Sequence, residues 1–225
     1  MKEKIIGVGA EALLIKRGNI LEKKRVKKGN RHKQLDLLLR TSRTRHEAKL
    51  LKKVSQIIPV PRIKEINSAV SNTKKAGSKT ETEIEMVFIQ GKLLSEWLDK
   101  FSLTKTLKIC EKIGKNIALI HDLDIIHGDL TTSNMILHNN LVYFIDFGLG
   151  FHSSRIEDKA VDLHLLRESL ESRHFKNWKS YFQAVLNGYK KMKHYDGVIE
   201  KLKKVESRGR YKRKAKVKQK KPLIS

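Results

Sequence analysis

His127-Gly128-Asp129-Leu130-Thr131-Thr132-Ser133-Asn134 and, twelve positions beyond Asn134, Asp146-Phe147-Gly148 set two carboxylates and an amide at fixed spacing in two loops. The first segment follows a long amphipathic pattern and the second follows a short apolar run, so both stand where regular elements give way to loops. The Asn134 amide oxygen and the Asp146 carboxylate are hard oxygen donors of the kind Mg2+ accepts. Asp129, five residues before the amide, is a separate carboxylate that can orient a hydroxyl and take its proton. A polyphosphate substrate needs both, because its crowded negative charge must be bridged by a cation while a nucleophile is activated nearby.

The flanking elements agree with a mixed chain. Ile5-Ile6, Ala12 to Ile15 and Ile20 to Val26 are short apolar or alternating runs divided by Gly7-Val8-Gly9 and Arg17-Gly18-Asn19, which predicts three strands. Leu35 to Val54 predicts one or two helices, with Thr41 or Ser42 as a possible cap, stopped by Ile58-Pro59-Val60-Pro61. Arg62 to Val70 and Ile84 to Ile89 predict a strand pair around a polar loop, Ser71 to Glu83. After Gly91 the character changes. Leu93 to Trp97 predicts a short helix, and Leu103 to His121 a long one with apolar positions 103, 107, 110, 113, 117 and 120 on one face. Met135 to His138 and Leu141 to Ile145 predict strands turned by Asn139-Asn140. Asp158 to Ser172 and Asn177 to Met192 predict helices. The expected class is α+β with two lobes: a small β-rich lobe with one main helix (1–90), a reduced helical lobe (91–206) and a basic tail (207–225).

Charge narrows the partners. The 225 residues hold 49 Lys and Arg against 24 Asp and Glu, a formal charge of +25. Fifteen basic residues face three acids between Lys16 and Lys53, and nine basic residues and no acid lie between Ser207 and Ser225. Such a surplus predicts a polyanion, RNA or DNA, over a merely solvated surface. The composition of the tail predicts disorder until a partner binds. No apolar run approaches the roughly 18 residues that span a bilayer. The N-terminus does not read as a secretory signal, and one cysteine, Cys110, fits a reducing compartment. A cytoplasmic protein with no membrane partner is expected.

The two loops have the spacing of the catalytic and magnesium loops of protein kinases. The upstream half holds candidates for the remaining parts. Ile6-Gly7-Val8-Gly9-Ala10-Glu11-Ala12-Leu13-Leu14 spans a glycine turn between two strands, where a loop covering phosphates belongs, although such turns are more often plain hairpins. Lys23 and Lys24 lie on the third strand, and one should point inward to the α/β-phosphates and meet an acid of the next helix. Position on that strand favours Lys23. Glu47 is the only acid between Asp36 and Glu65 and is the natural partner. Met86, Val87 and Ile89 belong to a connector whose backbone would hold adenine. Asp162 either bonds the backbone of the catalytic loop or is a surface residue at a helix start. His121, His127 and His138 lack metal-ligand spacing and read as packing or hydrogen-bonding residues. Cys110 reads as core, and Trp97 and Trp178 are too isolated to stack on bases.

Over nearly its whole length the chain resembles the small atypical protein kinase of the KEOPS complex, the PRPK or Kae-associated kinase family. The resemblance rests on Gly9-Ala10-Glu11-Ala12, Lys23-Lys24-Arg25-Val26-Lys27-Lys28-Gly29-Asn30-Arg31, Arg43-Thr44-Arg45-His46-Glu47-Ala48, His127 to Asn134, Asp146-Phe147-Gly148-Leu149-Gly150 and Arg208-Gly209-Arg210-Tyr211-Lys212-Arg213. It implies that Lys23 contacts ATP, Glu47 is its helix partner, Asp129 is the catalytic aspartate, and Asn134 and Asp146 hold Mg2+. It implies a Ser/Thr kinase and ATPase that supports threonylcarbamoylation of adenosine 37 in tRNA. The implied partners are the Kae-type tRNA threonylcarbamoyltransferase subunit, the small Cgi-type regulatory subunit and tRNA, met by the basic tail. An archaeal source would suit the small size. Asn30 stands where the family has Tyr, and Val87 where it has an acid. Gly128 replaces the Arg of most kinases, Thr131 replaces a catalytic-loop Lys, and few residues separate Gly148 from Val161. Two other readings compete: a small-molecule kinase of the aminoglycoside or choline type, which shares His-Gly-Asp, and a tRNA-binding scaffold with a regulatory ATP site.

Overall fold

The computed structural model describes residues 3–9, 11–66 and 82–218. The sequence opens with β1 (Glu3–Val8), β2 (Ala12–Arg17) and β3 (Ile20–Arg25), paired antiparallel in succession. A two-residue turn joins β2 to β3, and Gly18 takes the φ of 59° that such a turn demands. Helix α1 (Lys33–Val54), β4 (Ile63–Ile66) and β5 (Glu83–Val87) follow, and β5 inserts between β3 and β4 to give the sheet order β1-β2-β3-β5-β4. Then come β6 (Lys92–Leu93), α2 (Leu94–Trp97), α3 (Leu103–Asp122), β7 (Ile125–Ile126), β8 (Met135–His138), β9 (Leu141–Phe144), β10 (Phe151–His152), α4 (Ile156–Arg173), α5 (Trp178–Tyr189) and α6 (Tyr195–Lys218). The chain is mixed α+β, as expected. Among the described residues no helix is long and apolar enough to cross a membrane.

Two compact units emerge, residues 1–96 with 133–150, and residues 97–132 with 151–225. In the first, the β8–β9 hairpin joins the N-terminal elements. Its strand β8 pairs with β6, and the Phe144 N–H donates to the Pro59 carbonyl at 3.0 Å. Gly91 permits this junction, because a Cβ there would lie 2.5 Å from Ile136 and from the Leu137 carbonyl. The hairpin turns through Asn139 and Asn140 at φ 46° and 60°, which suits the local backbone bonding of asparagine. Helix α1 is a single helix, and Thr41 and Ser42 lie inside it rather than capping it. Its N-terminus starts after His32 without a side-chain cap, and its buried stripe runs Thr44, Glu47, Ala48, Leu51 and Val54.

In the second unit α3 packs on α5 at backbone distance. A Cβ on Gly114 would lie 1.9 Å from the Val185 carbonyl oxygen, and one on Gly188 would lie 2.0 Å from that of Glu111. Reciprocal glycines therefore bring the two helices together where any side chain would force them apart. The apolar face of α3 is as expected at Cys110, Ile113, Ile117 and Ile120, all buried. Leu103, in the first turn, is instead exposed. Serine caps that turn, with Ser102 Oγ accepting the Lys105 N–H.

The tail expected to be disordered over 207–225 is helical as far as Lys218, and 219–225 lie outside the described residues. Helix α6 runs from Tyr195 to Lys218 and takes in the first part of the basic tail. Val198 and Leu202 are buried, while Lys201–Glu157 and Arg167–Glu206 ion pairs, each 3.2 Å, tie α6 to α4. The loop predicted over Ser71 to Glu83 falls outside the described residues up to position 81, and Glu83 itself opens β5.

Candidate active site

Strand alternation decides which lysine turns inward. Along β3, Lys23 and Arg25 share one face and Glu22 and Lys24 the other. Lys23 Nζ donates to Glu47 Oε1 and to Asp146 Oδ1, both at 2.7 Å. Lys24 is half exposed and pairs with Glu83 at 2.6 Å. The geometry thus agrees with the expected pairing of Lys23 with Glu47. Glu47 carries a second cation that the sequence reading missed, since Arg25 Nη2 donates to its Oε2 at 2.7 Å. The side chains of Lys23, Arg25 and Glu47 are 9, 6 and 1% exposed. Two cations and two carboxylates, Glu47 and Asp146, balance in charge, which is what allows the cluster to leave water.

Asp146 closes the cluster from the loop after β9. Its side chain is 48% exposed, so one end of an otherwise buried ion network opens to solvent. Its φ is 62°, a left-handed conformation that Asp tolerates better than most residues and that concentrates at functional loops. Oδ1 also accepts the Gly148 N–H at 3.1 Å. A Cβ on Gly148 would lie 2.9 Å from Asp146 Oδ1 and 3.2 Å from Arg25 Nη2, so the close approach selects glycine. His46 Nε2 donates to the Gly150 carbonyl at 2.8 Å, a second tie between α1 and this loop. The residue before β8, Asn134, is half-buried, and its carbonyl accepts the Ile145 N–H at 3.0 Å. The hard-oxygen chemistry and partial exposure of Asn134 and Asp146 fit a magnesium ion.

The glycine turn and connector belong to the same unit. Gly7 stands at an irregularity in the β1–β2 register, Val8 is exposed, and the Gly9 N–H donates to the Ala12 carbonyl at 2.9 Å. Ile6 is exposed, Ala12 is buried, Leu13 and Leu14 are half-buried, and Ala10 lies outside the described residues. Glu11 is held by Arg43 at 2.8 Å and Lys28 at 3.4 Å. Desolvation pushes the Glu11 carboxyl up, but Lys28, Arg43 and Arg31 outweigh it and keep it below the usual range. In the connector, Met86 is buried, and the Val87 and Phe88 N–H groups donate to the Arg62 and Asn19 carbonyls at 2.8 and 2.9 Å. The half-buried Ile89 follows. Among the described residues no backbone partner of the Ile89 N–H is found.

The segment His127 to Thr132, expected as the catalytic loop, lies in the second unit and is held by hydrogen bonds. Asp162 is buried and accepts the His127 N–H at 2.8 Å through Oδ2 and the Gly128 N–H at 3.0 Å through Oδ1. It is therefore the backbone anchor of this loop and not a surface residue. His121 Nε2 also donates to Asp162, and His121 Nδ1 meets the Tyr189 hydroxyl at 2.8 Å. Burial pushes the Asp162 carboxyl up, but the His121 hydrogen bond and the two nearby histidines hold it below the usual range. Gly128 has φ 78°, which accounts for a glycine where most kinases carry Arg. His127 Nδ1 accepts the Asp129 N–H at 3.3 Å, and Asp129 is itself half-buried. At the end of α3, Asp124 has φ 58° and receives Lys159 Nζ at 2.7 Å. Burial, with a smaller push from the Asp99 charge, raises the Cys110 thiol to about 12, in keeping with a core role. His138 Nδ1 donates to the Gln90 carbonyl at 2.6 Å, also as expected of a hydrogen-bonding histidine.

Comparison with known proteins adds identity to this geometry. The family model of the RIO domain matches residues 15–155. The KEOPS complex subunit Bud32 of Pyrococcus abyssi is 38% identical over 200 residues, covering 87% of this chain and 86% of that protein. A probable serine/threonine-protein kinase BUD32 homolog of Archaeoglobus fulgidus is 33% identical over 205 residues, 91% of this chain and 94% of that protein. A probable bifunctional tRNA threonylcarbamoyladenosine biosynthesis protein of Methanobrevibacter smithii is 41% identical over 226 residues, 94% of this chain but only 37% of that longer protein.

Proposed function

Because the chain belongs to the RIO-domain family and, within it, to the Bud32 kinases, we propose that it is the ATP-dependent Ser/Thr kinase subunit of a KEOPS-type assembly serving tRNA threonylcarbamoyladenosine formation. The observation that carries the reading is Lys23 at 2.7 Å from both Glu47 and Asp146, an inward lysine oriented by a helix acid beside a metal-loop aspartate. Lys23 would hold the α/β-phosphates, its ammonium kept in place by Glu47. Asn134 and Asp146 would hold Mg2+, which when bound offsets the phosphate charge. Asp129 would orient the attacking hydroxyl or water and accept its proton. At the connector, adenine needs one acceptor and one donor, and the Val87 carbonyl and Ile89 N–H remain for that purpose. The turn from Ile6 to Leu14 would cover the phosphates with backbone and small side chains.

ATP hydrolysis at the same site is part of the proposal, beside phosphorylation of Ser or Thr. The formal charge of +25 and the basic end of α6 support tRNA as a partner in the cytoplasm. The bifunctional relatives, of which this chain matches little more than a third, support a Kae-type partner that carries the second activity, with a Cgi-type regulator alongside. The test is turnover of radiolabelled ATP with Mg2+ by the purified chain alone, with tRNA and with the Kae-type subunit, beside Asp146→Ala. Phosphate release that rises with partner or tRNA and is lost in the variant is the expected result. Label entering only a small-molecule acceptor, or no turnover at all, would overturn the reading.

A further inference from the structure

Behind the catalytic loop a chain of polar groups, buried at His174 and Thr132 and exposed at Asp99, runs through residues that the proposed chemistry does not use. His174 stands at the C-terminal cap of α4, where its N–H donates to the Leu170 carbonyl at 2.8 Å. Its ring is sandwiched between two oxygens, with Nδ1 2.6 Å from Asp99 Oδ2 and Nε2 3.2 Å from Thr132 Oγ1. Asp99 Oδ1 accepts the Tyr181 hydroxyl at 3.0 Å. Thr132 Oγ1 lies 3.3 Å from Ser169 Oγ, and Ser169 Oγ accepts the Thr132 N–H at 3.1 Å. Thr132 is 0% and His174 2% exposed.

Donor and acceptor rules give this chain a direction. A carboxylate only accepts, so His174 Nδ1 carries a proton. In the neutral ring Nε2 then accepts the Thr132 hydroxyl, and Thr132 Oγ1 accepts that of Ser169. The order carboxylate, imidazole, hydroxyl is that of a nucleophilic triad, but the Thr132 oxygen is fully buried and bonded on both sides. It cannot meet a substrate. What the arrangement does is fix both the N–H and the hydroxyl of one loop residue.

We propose that Asp99, His174 and Thr132 form a clamp that positions the catalytic loop, a role that rests on the kinase reading above. Asp162 pins His127 and Gly128 at one end of the loop, and the clamp pins Thr132 at the other. Asp129 is suspended between the two anchors. With the Thr132 anchor gone, the loop would keep the Asp162 tie at its Gly128 end, where φ is 78° and glycine brings no side chain of its own to restrain the backbone. These three are positioning residues, acting through the placement of Asp129.

The test uses the full chain with Thr132→Val, Thr132→Ser and His174→Gln, and Asp146→Ala as the inactive control. ATP turnover gives kcat and KM, and hydrogen exchange reports the amides of 127–132. Thr132→Val and His174→Gln are expected to lower kcat by about 10- to 100-fold through misplacement of Asp129, with KM for ATP within about twofold. Loop exchange rises about tenfold in both. Thr132→Ser, which keeps the hydroxyl, restores slow exchange and most of kcat. Wild-type kcat and exchange in Thr132→Val would overturn the clamp, as would equal loss in Thr132→Ser. If the wild-type chain turns over no ATP, the kinase reading falls, and the exchange comparison still decides whether the clamp holds the loop.

Discussion

The two units solve the same problem, placing a carboxylate in a reactive loop, by opposite means. Around Asp146 the solution is ionic: two cations and two carboxylates within 2.7 Å contacts, open to solvent at one end. Around Asp129 it is a hydrogen-bonded lattice of backbone N–H groups, imidazoles and hydroxyls, anchored on the buried Asp162 carboxylate. The difference fits the work proposed for each. A cluster that must exchange partners with a polyphosphate and its cation benefits from mobile charge, whereas a base that handles one proton benefits from fixed geometry.

Removal of the reacting groups should break both regions equally. Asp129→Ala and Asp146→Ala are each expected to cut phosphoryl transfer by about 10²–10⁴-fold or to abolish it, with unchanged circular dichroism. Beyond that the regions should diverge. Glu47→Ala strips Arg25 of its ion-pair partner and leaves Lys23 only Asp146. A loss of about 3–5 kcal/mol in urea unfolding is expected, as for a broken buried pair. In the second unit, damage should come from shape. Gly114→Val forces a side chain into the Val185 carbonyl, and a loss at or above roughly 3 kcal/mol is expected from overpacking.

Acid should separate them further. Folding lowers the pKa of Asp162 from its ordinary 3.8, so the stability it contributes is present above that value and is lost as pH falls through and below it. Melting temperature should therefore drop between about pH 5 and 3 in wild type and less in Asp162→Asn. An equal acid response in both proteins would show that Asp162 does not carry this dependence.

Legibility in the sequence followed the same divide. Asp129, Asn134 and Asp146 were readable because their chemistry requires fixed spacing in one stretch of chain. Lys23 was favoured over Lys24 by its place on the third strand and by the family resemblance, and the alternation of β3 between β2 and β5 makes that choice concrete. Arg25 was hidden in a run of basic residues that looks uniformly solvated, although its position two residues after Lys23 was the available signal. Gly114 and Gly188 could not be read, because their close approach is a property of two helices together. The asparagine turn of β8–β9 was legible from local chemistry alone. Helix α6 was obscured by its charge, yet Tyr195, Val198, Leu202 and Val205 recur at helical spacing, and Val198 and Leu202 are buried. The clamp on Thr132 draws on Asp99, Ser169 and His174, too far apart in sequence for any pattern to connect them.

The central claim is that one lysine of an adjacent pair holds the nucleotide. Its most direct test is Mg2+-dependent ATP turnover by Lys23→Met and Lys24→Met measured side by side. The account predicts that Lys23→Met loses turnover while Lys24→Met, whose half-exposed lysine pairs with Glu83 on the opposite face of β3, stays within about twofold of wild type. Full activity in Lys23→Met, or equal loss in both variants, would contradict it.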